Sequence, residues 1–97
     1  MLTLEAAKKI GVDACIDKLG RDFVLAHRDS STASYTTDAD DNGNIFCFVG
    51  VDDKPRVHQE KPDVLILDST SVFPYRVSCN VNLSDGTLQF VECVLPA

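Results

Sequence analysis

The stretch Asp38-Ala39-Asp40-Asp41-Asn42-Gly43-Asn44-Ile45 is the part of this chain whose residue types and spacing most resemble chemistry. Oxygen-bearing side chains at Asp38, Asp40 and Asn42, a glycine next and an aliphatic two further on match the opening of a helix-loop-helix calcium loop. Calcium needs several converging carboxylate and carbonyl oxygens, and alternating Asp and Asn on a tight turn can supply them. The pattern then breaks, because Val49 stands where a bidentate glutamate belongs and the following run reads as strand. Asp52 and Asp53 would have to fold back to complete a site. The competing reading is a polar hairpin tip whose Asp and Asn side chains serve the turn itself. Asp38, Asp40 and Asn42 are thus the candidate metal ligands, for calcium bound weakly.

Other nucleophiles and bases are scattered. His27 and His58 are the two histidines; Ser30, Ser31 and four cysteines could pair with them only through the fold. His27-Arg28-Asp29 looks like a kinase catalytic-loop fragment, yet 97 residues cannot hold a kinase. No nucleophile elbow, phosphate-binding loop or dinucleotide fingerprint is present, so no residue is assigned a catalytic role. Cys15, Cys47, Cys79 and Cys93 lack the close spacing of a zinc knuckle or a redox dithiol. Each lies in an apolar segment, where a thiol acts as a small buried hydrophobe; structural disulfides are the alternative.

Composition bounds the rest. The net charge of −6 lacks the clustered Lys/Arg surface that phosphate backbones or anionic membranes require, so neither nucleic acid nor membrane is an expected partner. No run approaches the roughly 20 apolar residues of a membrane span. Met1-Leu2-Thr3-Leu4-Glu5 lacks the basic and apolar regions of a secretory signal, which places the chain in the cytoplasm unless a signal has been trimmed away. Length and composition suit one domain over residues 1–97.

The elements that would position these groups begin with a helix over about residues 3–19. Thr3 is its N-cap, Glu5 favours the first turn, and Gly20 ends it. Leu4, Ala7, Ile10 and Ala14 form the apolar stripe, widened by Val12, Ile16 and Leu19. Gly11 costs roughly 1 kcal/mol relative to alanine inside a helix, so something is expected to pack close to the backbone there. Phe23 to His27 reads as a strand or extended segment, and Ser30 to Ser34 as an aperiodic polar stretch before Tyr35-Thr36-Thr37.

Asn42-Gly43 signals a hairpin with positive φ at both positions, followed by Ile45 to Val51, apolar on both faces like a doubly covered strand. Residues 52–62 read as a loop and Val64-Leu65-Ile66-Leu67 as another strand. In the Val72 to Leu83 segment, Val77, Cys79, Val81 and Leu83 share one face, with Arg76, Ser78, Asn80 and Asn82 on the other. A two-residue Asp85-Gly86 turn sets Val77 opposite Val94, Val81 opposite Phe90 and Leu83 opposite Leu88, with Cys79 awkwardly opposite Glu92.

The expected fold class is α+β: one N-terminal amphipathic helix packed on a curled, mostly antiparallel sheet of four to six strands. With this order, the opening Leu2-Thr3-Leu4-Glu5-Ala6-Ala7-Lys8-Lys9-Ile10 resembles the first helix of PepSY-like domains, and the helix-then-meander plan resembles cystatin-like domains. The resemblance implies inhibitory or protein-binding roles and carries no site residue. A sheet face left open at Phe46, Phe48, Val91 and Leu95 would need a partner, most simply a second copy in a homodimer. The expected function is therefore non-catalytic protein binding or self-assembly through that face. The alternatives are calcium binding at 38–42, and a ligand or catalytic cavity between helix and sheet with Tyr35, Tyr75 or His27 as its polar groups.

Overall fold

The computed structural model describes residues 1–53 and 73–97. Helix α1 spans Leu4–Leu19, as its capping signals predict. The Thr3 hydroxyl accepts the Ala6 N–H at 3.1 Å. At the other end Gly20, at φ 111°, donates its N–H to the Ile16 carbonyl, a backbone conformation that side chains disfavour. The buried seam of α1 is Ala7, Gly11, Cys15 and Leu19, one residue every four. Leu4, Ile10, Val12 and Ile16 flank it, half-buried. The expected stripe therefore exists, but small residues form its centre because the backbone itself approaches the sheet.

After Gly20 the chain turns into a second short helix, α2 (Arg21–Ala26), and a 3-10 turn at Arg28–Ser30. This corrects the strand expected over Phe23 to His27. A five-residue apolar run has no period long enough to separate helix from strand. Here Phe23 and Val24 pack on the core while Leu25 stays exposed.

Among the described residues four strands follow: β1 (Ser31–Tyr35), β2 (Asn44–Val51), β3 (Tyr75–Asn82) and β4 (Leu88–Val94). They lie in the order β1-β2-β3-β4, every neighbouring pair antiparallel. Among the described residues the sheet is open, with β1 and β4 as its outer strands, and it is not strongly curled, unlike the curled sheet expected. Strand β1 occupies much of the polar Ser30 to Ser34 stretch, which has no alternation to betray it. The strand expected at Val64 to Leu67, the 52–62 loop beyond Asp53, and His58 lie outside the described residues.

Strands β2 and β3 form the centre. Ile45, Cys47, Val49 and Val51 from β2 meet Val77, Cys79 and Val81 from β3 in one core with the α1 seam. Complete burial of each aliphatic contributes about 1.5–3 kcal/mol. The expected alternation along β3 and the doubly apolar character of β2 are both present. On the sheet's other side Phe48 is buried and its ring lies 6.1 Å from that of Phe73. Phe73 sits so close over Gly50 that a Cβ there would fall 2.7 Å from its Cγ.

The β3–β4 pairing differs from expectation. The loop is Leu83 to Gly86, four residues, closed by Asn82 N–H to Thr87 carbonyl at 2.9 Å with Gly86 at φ 76°. Val81 faces Leu88 and Cys79 faces Phe90, then the register shifts so that Ser78 faces Glu92. Val91 is the extra residue of this β-bulge. The bulge removes the conflict that a regular ladder would create: Glu92 leaves the core-facing row and accepts from Arg76 Nε at 2.7 Å.

Candidate functional site

The 38–44 turn holds itself together. Gly43 donates its N–H to the Asp40 carbonyl at 3.0 Å, and Asp40 N–H reaches the Asn44 carbonyl at 2.8 Å. Only Gly43, at φ 78°, takes a positive φ; Asn42 does not, contrary to the two-residue turn expected. One carboxylate oxygen of Asp40 accepts from the amides of Asn42 at 2.9 Å and Asn44 at 2.8 Å, the habit of Asp in tight turns. Asn82 Nδ2 contacts the Asn42 carbonyl at 3.4 Å and the Asn44 side-chain oxygen at 3.0 Å. The Leu83 amide adds a bond to the Gly43 carbonyl at 2.8 Å. Asp38 lies exposed before the turn. Among the described residues no three His, Cys, Asp or Glu side chains converge in metal-holding geometry.

His27 ends α2. Its Nδ1 donates to the Phe23 carbonyl at 2.9 Å, and its ring centroid lies 4.4 Å from that of Phe23 with the planes tilted by 38°. Phe23 in turn meets Tyr75 edge-on at 5.4 Å. The Ser30 hydroxyl bonds the carbonyls of His27 and Asp52 rather than an imidazole. A surface cavity of about 570 Å³ is lined by Leu25 to Ser30 and Asp53. It includes His27 but neither tyrosine, and it lies beside α2 rather than beneath α1. Tyr35 is far along β1, with Lys8 Nζ 4.2 Å above its ring. At Gly11 the helix lies directly on the sheet, since a Cβ there would fall 2.4 Å from Cys47 Sγ. A shallower cavity of about 260 Å³ lies between α1 and Tyr35, lined by Glu5, Lys8, Lys9, Val12 and Asp13.

Three thiols meet at that contact. Cys15, Cys47 and Cys79 are fully buried and unpaired, whereas Cys93 is exposed on the edge strand, contrary to the burial expected of all four. Cys15 Sγ is 3.6 Å from Cys79 Sγ, and Cys47 faces Cys79 across the β2–β3 ladder. Cys79 Sγ also lies 3.6 Å from the Gly11 carbonyl. Hydrogen bonds from Cys15 and Cys47 hold the Cys79 thiol well below its ordinary range. The bond to Cys79, and then burial, push Cys15 and Cys47 up. The sequence hides this cluster because its members stand 32 or more residues apart.

Among the described residues, exposed apolar side chains gather on and just after β4. Leu88, Phe90, Val91 and Leu95 are exposed at 38%, 40%, 58% and 44%. Of the four residues expected on an open face, Phe46 (marginally), Val91 and Leu95 are exposed, and Phe48 is buried. Leu88 and Phe90 were missed because alternation alone sends them to the core; their place on an outer strand of the described sheet leaves them open. Lys18 Nζ lies 5.3 Å over the Phe90 ring.

Among the described residues no helix is long and apolar enough to cross a membrane. Comparison of the chain with protein-family models, curated proteins and solved structures finds no match. The helix packed on an antiparallel sheet is the α+β plan on which the likeness to cystatin-like and PepSY-like domains rests, and neither family is matched.

Proposed function

We propose that this chain is a non-catalytic binding domain that pairs with a second copy of itself along β4. The observation that carries the reading is the concentration of large exposed apolar side chains over residues 88–95, on a strand whose outer main-chain groups have no neighbouring strand in the described sheet. Such an edge is a template for another strand. Charge favours a like partner. Of the chain's net −6, β4 carries a single charge, Glu92, and Arg76 lies against it at 2.7 Å. Two copies can therefore approach at β4 with little repulsion, and antiparallel pairing of identical strands closes with twofold symmetry.

The likeness to cystatin-like and PepSY-like domains belongs with this reading, because it too points toward protein binding. Thermal melts over a tenfold-spaced protein concentration series test it: pairing makes the midpoint climb with concentration, since association stabilises the folded state by mass action. A midpoint independent of concentration refutes it.

A further inference from the structure

We infer that the buried thiols are a peroxide-responsive pair, in which Cys79 and Cys15 close a disulfide that fastens α1 to the centre of the sheet. The two Sγ atoms are in van der Waals contact at 3.6 Å, so about 1.5 Å of approach reaches the S–S bond length. They belong to different elements, α1 and β3, whose close approach is set by Gly11 rather than by a loop. Cys79 is the member poised to react first. It is the central thiol of the three, 3.6 Å from Cys15 Sγ and directly across the β2–β3 ladder from Cys47. Hydrogen bonds from both hold its pKa down, and the thiolate is the nucleophile in such chemistry.

The step balances with a peroxide as oxidant, a molecule small enough to enter on local opening. The Cys79 thiolate attacks one peroxide oxygen, the O–O bond breaks, and the departing hydroxide takes up the thiol proton as water, leaving a sulfenic acid. Cys15 sulfur then attacks the Cys79 sulfur. The S–O bond breaks, and the hydroxide leaves as water with the Cys15 proton. Two thiols are oxidised by two electrons and one peroxide is reduced to two waters. Cys47 faces Cys79 across the ladder and is the competitor for the same sulfur.

The test treats the full chain carrying Cys93→Ser with hydrogen peroxide in native buffer, which removes the exposed thiol as a source of intermolecular linkage. The expected product is a monomeric chain lighter by two hydrogens, with a proteolytic map joining the Cys15 and Cys79 peptides and native circular dichroism. Cys47→Ala on that background keeps the linkage; Cys15→Ala abolishes it. A map joining Cys47 to Cys79, three thiols still free after exposure, or oxidation appearing only together with loss of the native circular dichroism overturns the inference. If Cys15→Ala does not fold, the peptide map of the parent still decides.

Discussion

Gly11 on α1 lies directly against Cys47 on β2, so close that a Cβ at position 11 would sit 2.4 Å from Cys47 Sγ and 2.9 Å from Val81 Cγ2. That contact fixes the spacing between helix and sheet and brings the three core thiols together. Gly11→Ala gains about 1 kcal/mol of helix propensity but overpacks a closed core, which costs typically 1–3 kcal/mol. The expected net result is a lower urea midpoint with an unchanged slope. Pairing it with Cys47→Ala recovers part of the loss, and a double-mutant cycle measures the coupling. Independent, additive losses would show that the contact is not shared.

Asp40 serves its own turn. Asp40→Ala removes the acceptor for two turn amides and is expected to cost about 1 kcal/mol. The same loss is expected with and without millimolar calcium. A calcium-dependent rise in the wild-type midpoint that disappears in Asp40→Ala would instead give Asp38, Asp40 and Asn42 a metal to hold.

Asp85 contributes to the acid end of the stability profile through the β3–β4 hairpin. The Thr87 hydroxyl and amide both donate to its carboxylate, holding its pKa below the ordinary value. A depressed folded pKa stabilises above the unfolded value, and that stabilisation is lost as pH falls through the folded one. Asp85→Asn is therefore expected to lower stability at neutral pH and to flatten its fall below the ordinary carboxylate range. Melts from neutral pH down to acid pH check this; parallel wild-type and variant curves would contradict it.

How much of this was legible before the fold follows from which signals are local. Thr3, Glu5 and Gly20 bound α1 because capping is decided within one turn of chain. Val77, Cys79 and Val81 announce β3 because alternation is equally local, and Gly11 signals a close approach without naming what approaches. The register of β4 is not local. It depends on a four-residue loop and a bulge at Val91 that only the conflict between Glu92 and the core betrays. The segment Phe23 to His27 is too short for its period to distinguish helix from strand. The candidate interface was half legible: Val91 and Leu95 stand out as apolar, but the exposure of Leu88 and Phe90 depends on β4 being an outer strand of the described sheet, which no residue on β4 encodes.

The central claim is that β4 pairs with its own copy, and sedimentation equilibrium of the wild type beside Val91→Lys tests it most directly. Val91 is well exposed at the bulge, so a lysine there leaves the monomer's core intact and adds the charge that protects natural edges from pairing. The account predicts a wild-type dimer whose dissociation constant rises at least about tenfold in the variant, roughly 1.4 kcal/mol of association free energy. A wild type that sediments as a monomer at every concentration, or a dimer indifferent to the lysine, would contradict it.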